Sequence, residues 1–488
     1  MLLKRFYDTK LAQASYLLGC QATGEALVID ANRDADQYLE AAQDEGLRIT
    51  HVTETHIHAD FVSGSRELAS RSQARLLLSA EGGSDWQYAF AEGDGATLLR
   101  GGDTFMVGNL RVEVLHTPGH TPEHLCFVVT DTPATDRPMG VFTGDFVFVG
   151  DVGRPDLLEK AAKVEGAMRE GARALFASIQ RFKALPDYLQ LWPGHGAGSA
   201  CGKALGAVPS TTLGYERIAN WALADVSEDA FTAMVLAGQP EPPRYFAAMK
   251  RINREGPPLL GGMPHPRRLA DTALTATLDR GALLVDIRPT ADFAEGHVPG
   301  ALNIPLNAQF TTRAGWFVPY ERAFYLLASG AQGEAAVTEA AHALAMIGLD
   351  RVEGWFGEGA IEAWTADGGV PQQVPQVTPE ELAARAAAGE LETGRTVVVD
   401  VRGREEFEAG HIPGVRHIVL GLLPDHLDEL PRDVPLVLQC QTGGRSSVAA
   451  SVLQAAGFTN VSNLARGITG WREAGEPVEQ GAGAPVPG

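Results

Sequence analysis

The stretch Thr55-His56-Ile57-His58-Ala59-Asp60-Phe61 puts three side chains with metal-binding lone pairs at alternate positions, then fills the next place with a residue that has none. It follows Ile49-Thr50-His51-Val52-Thr53, a β-branched run that reads as a strand. Such a loop collects one cation well and leaves a second ion short of a ligand. The pattern favours a single metal with open positions over two-metal hydrolysis. Further donors follow apolar runs downstream: His116-Thr-Pro-Gly-His120 after Val112–Leu115, Thr143-Gly144-Asp145 after Gly140–Phe142, and Pro193-Gly194-His195 after Tyr188–Trp192. Each lies beside Gly or Pro where a strand gives way to a rigid loop. Loops at one end of a sheet can converge on one point.

A second chemistry lies near the C-terminus. Pro435-Leu-Val-Leu-Gln-Cys440 brings a cysteine to the end of an apolar strand, and Gln441-Thr442-Gly443-Gly444-Arg445 leads into a helix. Glycines 443 and 444 let the backbone curl so that N–H groups point inward, an anion-binding nest at a helix N-terminus. Such a nest stabilises a thiolate and the persulfide formed on it. Arg445 adds a positive charge able to hold the oxygens of sulfite or thiosulfate.

The elements that must position these groups show in a repeat. Val285-Asp-Ile-Arg-Pro-Thr-Ala-Asp-Phe-Ala-Glu-Gly-His-Val-Pro-Gly-Ala301 recurs as Val399-Asp-Val-Arg-Gly-Arg-Glu-Glu-Phe-Glu-Ala-Gly-His-Ile-Pro-Gly-Val415, 114 positions on (399 against 285). That spacing is a small α/β domain, so the second half is two tandem copies of one parallel-sheet fold. In the first copy Ser329 stands where Cys440 should be, and Glu334 where Arg445 should be. This copy is expected to be inactive, a scaffold or docking unit. The Gly-His-x-Pro-Gly segment reads as a structural turn in both. Proline-rich runs near residues 239–243, 256–266 and 371–375 mark boundaries, and a short amphipathic helix is expected between the first two. Thr378-Pro-Glu-Glu opens a helix with a cap, a first-turn proline and acidic residues.

At 488 residues, with 45% hydrophobic and 21% charged residues, the chain reads as soluble, globular and multidomain. A net charge of −21 argues against nucleic-acid or anionic-membrane partners. No window approaches the ~18 apolar residues of a membrane span. Cys20, Cys126, Cys201 and Cys440 are widely spaced, without a CxxC pair, which points to a reducing cytoplasm. Cys20 and Cys126 lie on apolar strands and are expected in the core.

In the order HxHxD, His, Asp, His, segment 1–240 resembles the metallo-β-lactamase fold. Within it, Thr-His-x-His-Ala-Asp, Pro-Gly-His-Thr-Pro and Thr-Gly-Asp followed by Gly153-Arg154-x-Asp156 resemble the persulfide dioxygenases. The resemblance implies an αββα domain with one Fe(II) per chain, held by His56, His120 and Asp145. Two imidazoles and one carboxylate suit non-haem iron and O₂. It leaves His58, Asp60 and His195 to orient ligands and waters. Phe61 departs from the superfamily, which usually has histidine there. Arg154 either steers a substrate carboxylate or phosphate or pairs with Asp156. Cys201, six residues after His195, either relays persulfide sulfur or is a packed bystander.

Residues 376–478, with Asp400, the Cys440 loop and Asn463-Leu-Ala-Arg-Gly-Ile-Thr-Gly-Trp471, resemble the rhodanese sulfurtransferases. The expected order is therefore a metal domain (1–240), a linker (241–266), an inactive rhodanese-like domain (267–372), an active one (376–479) and a disordered tail (480–488). The resemblance to multidomain persulfide dioxygenase–sulfurtransferases implies that a small persulfide of glutathione or coenzyme A type, O₂ and sulfite are the partners, with thiosulfate as product. A homo-oligomer is expected. Two alternatives stay open: a glyoxalase II-like thioester hydrolase fused to a sulfurtransferase, and a non-catalytic persulfide carrier.

Overall fold

Hydrophobic runs broken by Gly, Pro and Asp build two six-stranded sheets from the first part of the chain. The structure, a computed structural model, describes residues 1–157, 167–239, 242–329 and 333–481. Its contacts divide into one unit of Met1–Pro264 with Ala345–Gly348, and a second of His265–Leu344 with the chain from Leu349 on.

In the first unit, β1 (Leu2–Asp8), β2 (Gln13–Cys20), β3 (Glu25–Ile29), β4 (Arg48–Thr53), β5 (Arg75–Ser79) and β6 (Thr97–Leu99) form one sheet in sequence order. The other runs β12 (Thr211–Thr212), β11 (Gln190–Pro193), β10 (Gly140–Gly144), β9 (Leu125–Asp131), β8 (Leu110–His116), β7 (Thr104–Val107). Tyr16, Leu18, Leu27 and Ile29 of one sheet meet Val112, Val114, Phe127 and Phe142 of the other in a shared core. The helices Asp36–Asp44 and Ser65–Ser72 cover the first sheet through Tyr38 and Leu68. The helices Ala167–Phe182 and Glu228–Leu236 cover the second through Leu175, Ile179, Phe231 and Val235. This is the expected αββα sandwich; positions 158–166, before the helix Ala167–Phe182, lie outside the described residues.

Topology decides where the site falls. β10 runs parallel to β11 and antiparallel to β9, which is antiparallel to β8. The C-terminal ends of β8, β10 and β11 therefore share one edge, and the loops bearing His120, Asp145 and His195 leave from it. β3 and β4 are parallel and deliver Asp30 and the His56 loop from the facing sheet.

The segment expected as a linker is instead built into the first unit. The helix Phe246–Glu255 forms where the sequence placed one, and its Asn253 is fully buried. The Asn253 amide donates to the carbonyls of His58 (2.8 Å) and Phe61 (2.7 Å), and its oxygen accepts from the Ser63 N–H (2.9 Å). A polar side chain thus pins the loop that carries the metal-binding motif.

The second unit holds two parallel sheets. One is β14 (Leu302–Asn303), β13 (Leu283–Asp286), β15 (Phe324–Ala328), β16 (Val352–Gly357). The other is β17 (Gln376–Val377), β21 (Val461–Leu464), β20 (Leu436–Gln439), β18 (Val397–Asp400), β19 (Arg416–His417). The repeated motif now has a physical reading. Arg288 pairs with Asp286 at 2.7 Å and Arg402 with Asp400 at 2.6 Å, each also donating to the carbonyl of the turn glycine, Gly296 or Gly410. His297 stacks on Phe293 (3.7 Å) and His411 on Phe407 (3.9 Å). Gly-His-x-Pro-Gly is thus a structural turn in both copies. Thr378 and Glu381 close a capping box on the helix Pro379–Ala387. Of the expected tail, 482–488 lies outside the described residues. No helix among the described residues is long and apolar enough to cross a membrane.

Asn253→Ala should destabilise the first unit by about 2–4 kcal/mol, because three buried backbone groups lose their partner. Urea unfolding checks this, and an unchanged midpoint would refute the pinning role.

Candidate functional site

Three imidazoles are aimed by the same device. His120 Nδ1 donates to the Arg154 carbonyl (3.0 Å), and His195 Nδ1 to the Ala12 carbonyl (3.0 Å). Thr55 gives its hydroxyl proton to Asp30, so its oxygen accepts from His56 Nδ1 at 3.0 Å. Each ring is left with Nε2 facing Asp145, at 4.0 Å for His56, 3.5 Å for His120 and 3.4 Å for His195.

All four groups are buried, and neither Asp145 oxygen receives a properly directed hydrogen bond. Burial keeps His56 well below the ordinary histidine pKa and lowers His120, so both offer a lone pair at neutral pH. Burial alone would raise Asp145, but His195, His56 and His120 hold it well below the carboxylate range. Burial likewise opposes charge on His195, and Asp145 overrides it, raising His195 well above its ordinary value. A proton sits where a cation's charge would serve the same carboxylate.

His56, His120 and Asp145 offer three ligand atoms within 4.8 Å of one another, as the sequence pattern implied. The orphaned Asp145 oxygens and the pre-aimed Nε2 atoms fit a metal ion. His58 does not join them. Its Nε2 pairs with Asp30 at 3.0 Å and its ring packs on Phe61 at 4.4 Å. Burial would lower its pKa, but Asp30 raises it to about 9, so His58 is a buried imidazolium that fixes Asp30.

Asp60 and His195 have a neighbour that the loop pattern did not include. Asp60 Oδ2 lies 3.2 Å from His195 Nε2, and the two converge with Cys201 as a second three-donor group within 4.8 Å. Phe61, fully buried, withholds a donor from the loop as expected, yet Cys201 brings one from elsewhere. Burial pushes the Cys201 thiol up to about 12, so without a metal it is not the thiolate a sulfur relay needs.

Of the two expectations for Arg154, the structure forms the ion pair. Its guanidinium is fully buried, makes a bidentate pair with Asp156 (2.7 and 2.6 Å) and donates to the Ala200 carbonyl. The Arg154 backbone carbonyl anchors His120, so the residue also frames the site.

Sequence reasoning missed Asp30, whose carboxylate gathers the Thr55 N–H, the Thr55 hydroxyl and His58. It also missed His124, which stacks on His56 (5.1 Å) and accepts from the Asp145 N–H through Nε2. The signals were an Asp closing the strand Ala-Leu-Val-Ile, and a histidine four places after His120.

In the second unit Cys440 follows β20, buried under its loop. The Gly443 N–H (3.2 Å) and the Ser446 hydroxyl (3.3 Å) donate to its Sγ. Gly443 has φ +100°, which turns the Gln441–Gly444 loop inward at the start of the helix Gly444–Ala455. Gly467 is pressed on the loop from behind, where a β-carbon would come 2.1 Å from the Cys440 carbonyl oxygen. Gln441 donates to Thr469 (3.0 Å). Arg445 is not free as expected: Glu406 takes both its nitrogens at 2.6 and 2.7 Å. In the first copy the sheet register puts Ala328, not the expected Ser329, in the place of Cys440, because Asp286 pairs with Leu327 as Asp400 pairs with Gln439; positions 330–332 of its loop lie outside the described residues.

Comparison with known proteins accords with this architecture. Residues 8–195 match the metallo-beta-lactamase superfamily, and residues 270–367 and 378–474 each match the rhodanese-like domain. A solved metallo-beta-lactamase from Staphylococcus aureus subsp. aureus COL is 44% identical with a TM-score of 0.66, covering 73% of this chain and 99% of that one. The chain belongs to the metallo-beta-lactamase superfamily and carries two rhodanese-like domains behind the metal-binding fold. Among curated relatives, a hydroxyacylglutathione hydrolase of Rhodopseudomonas palustris is 31% identical over 49% of this chain and 80% of the relative. The persulfide dioxygenase ETHE1 of Bos taurus is 28% identical over 40% and 68%. The chain spans about half the length, 54%, of a beta-lactamase hydrolase-like protein of Xylella fastidiosa that it matches at 28% identity over 47% of its own.

Asp30→Asn should weaken metal retention about 10- to 100-fold, since it loosens both Thr55 and His58 behind His56. Metal content after dialysis against a graded chelator checks this; wild-type retention would mean that Asp30 does not set the ring.

Proposed function

We propose that the first unit holds one Fe(II) and oxidises a small thiol persulfide, of glutathione or coenzyme A type, with O₂ and water to sulfite and free thiol. Cys440 then takes the outer sulfur of a second persulfide, releasing its thiol, and passes that sulfur to sulfite, giving thiosulfate. The observation that carries this reading is the donor set His56, His120 and Asp145 beside a loop position closed by Phe61, in one chain with the Cys440 nest. The similarity to a persulfide dioxygenase supports the first half, and the match to rhodanese-like domains the second.

Bound iron would supply the redox chemistry by which O₂ reacts with sulfur. The protein's own residues prepare the place. Arg154 and Thr55 hold His120 and His56 with Nε2 inward, and Asp30 with His58 keeps Thr55 fixed. Phe61 against His58 and Phe148 against His195 keep water from the rings. In the second unit, the Gly443 N–H and the Ser446 hydroxyl stabilise charge on Cys440 sulfur, first as thiolate and then as persulfide.

A second reading rests on one observation. Asp60, His195 and Cys201 form a donor group of their own, which suits a second cation and hydrolysis of a thioester by metal-activated water. The similarity to a hydroxyacylglutathione hydrolase points the same way. Metal analysis and O₂ uptake on glutathione persulfide separate the two. One iron per chain with O₂ consumed supports the dioxygenase; two zinc ions with thioester cleavage under nitrogen would replace it.

Cys440→Ser should leave O₂ uptake intact while sulfite accumulates in place of thiosulfate, followed by ion chromatography. His120→Ala should lose iron and O₂ uptake yet keep thiosulfate:cyanide transfer. Loss of both activities in either variant would contradict two independent sites.

A further inference from the structure

Beside the Cys440 loop both rhodanese copies wall one cavity of about 400 Å³. The second copy contributes Gly443 and Gly444 of the loop, Ser447 of the helix that follows, Asn463 of β21 and Arg466 in the turn after it. The first copy contributes Ala294 and Glu295, from the helix Thr290–Glu295. The run Val374-Pro375-Gln376 ties the two walls together. The Val374 N–H donates to the Ala294 carbonyl (3.0 Å), the Asn463 N–H to the Pro375 carbonyl (2.9 Å) and the Asn463 amide to Gln376 Oε1 (2.9 Å). The helix Gly444–Ala455 is fastened to the same assembly: the Asn303 N–H donates to Ser451 Oγ (3.0 Å), and Gln454 to the Gln373 carbonyl (2.8 Å). The space is therefore fixed by directional bonds from both copies.

Its walls hold polar groups that folding leaves unused. Among the described residues, Ser447 Oγ and Asn463 Oδ1 are buried without a hydrogen-bond partner. Such atoms cost free energy until a ligand or water meets them. Asn463 Oδ1 only accepts, so it calls for an N–H or O–H. Charges of both signs stand at the rim. Glu295 is exposed, and Arg466 is exposed in a pair with Glu473. A pair of that kind is worth little in water and gives way readily to a ligand's anion. Arg466 also holds φ +62°, a left-handed conformation in which an arginine is strained. The Cys440 loop keeps the turn in place: the Ile468 N–H donates to the Cys440 carbonyl (2.9 Å), and the Thr469 N–H to that of Gln441 (3.1 Å).

The sulfur is one hydrogen bond from this wall, since Gly443 gives its N–H to Cys440 Sγ at 3.2 Å. An inorganic donor such as thiosulfate needs no further room. A persulfide R–S–SH brings an organic group that must lodge beside the loop while its sulfur reacts. Unpaired donor and acceptor atoms suit an amide, and one charge of each sign suits a zwitterion.

We propose that this cavity binds the carrier part of the persulfide donor, a small peptide thiol with an ammonium and a carboxylate, of the glutathione class. Asn463 and Ser447 meet its amide, Arg466 its carboxylate and Glu295 its ammonium. The inference rests on the sulfur-transfer reading of Cys440 and adds a substrate subsite to it. The Cys440 thiolate bonds to the outer sulfur, and the sulfur–sulfur bond of the donor breaks. The peptide thiol leaves with the bonding pair and with the proton that the outer sulfur carried. Cys440 keeps the sulfur as a persulfide anion, so charge is conserved. The copy without a cysteine thus supplies part of the donor site.

The full-length chain under nitrogen, which denies the metal unit its O₂, tests this with two donors: glutathione persulfide with sulfite as acceptor, and thiosulfate with cyanide. Arg466→Asn removes the charge with a residue that tolerates a left-handed backbone, and Ala294→Phe fills the cavity from the first copy. Each should raise KM for glutathione persulfide about 10-fold, the size of one lost charge-assisted contact. KM for thiosulfate should stay unchanged, because thiosulfate has no carrier to place. Coenzyme A persulfide, which has no ammonium for Glu295, should show the higher KM in the wild type. A lower KM for coenzyme A persulfide, or an unchanged glutathione persulfide KM in both variants, overturns the assignment while the transfer reading stands. An equal loss with thiosulfate overturns it too, since the loop itself would then be disturbed. Should either variant fail to fold, the other decides. A wild-type chain that takes sulfur from neither donor ends both.

Discussion

A carboxylate without a hydrogen-bond donor governs the first unit. Asp145 is buried among the Nε2 atoms of His56, His120 and His195, and no backbone N–H or hydroxyl is directed at its oxygens. Leaving such oxygens dry costs several kcal/mol in an apolar setting, to an order of magnitude. Among the described residues only the His195 imidazolium, 3.4 Å away, relieves it. Each ring nitrogen that could turn away is tied by Nδ1 to a carbonyl or to Thr55. The sheet topology brings the loops to one edge, and Asn253 keeps the His58–Ser63 turn from relaxing. Folding and metal affinity are two expressions of the same arrangement.

The sequence carried the donors themselves because ligand chemistry restricts residue type. His56, His120 and Asp145 converge as their spacing after apolar runs implied, and Cys440 sits in the nest its glycines called for. What stayed hidden was pairing. Nothing in Val-Ile-Asp says that Asp30 will collect Thr55 and His58 from 25 and more positions away, or that Glu406 will claim Arg445. The same limit explains the linker. Proline-rich flanks mark irregular backbone truly, but only packing reveals that the helix between them is anchored by a buried asparagine. For Cys201 the spacing allowed a relay or a packed bystander, and only the packing shows a thiol whose pKa burial raises.

The two units solve related problems by different means. The metal edge relies on fixed lone pairs surrounding a place for positive charge. The Cys440 loop relies on fixed N–H and O–H groups around a place for negative charge. In both, the groups are held by contacts formed during folding, so little reorganisation is left for the reaction itself. Gly467 illustrates the tolerance involved, with its Cα lying where any side chain would strike the Cys440 carbonyl.

The Asp–Arg pair and the Phe–His stack are built alike in the two rhodanese copies, although one has alanine where the other has its thiol. Frame and reactive segment are therefore separable modules. Duplication followed by drift in the segment alone would leave a sound domain free to acquire another task. By the same token, a methyl group or a sulfur can cap the central strand of this scaffold while the lattice of contacts beneath it stays the same.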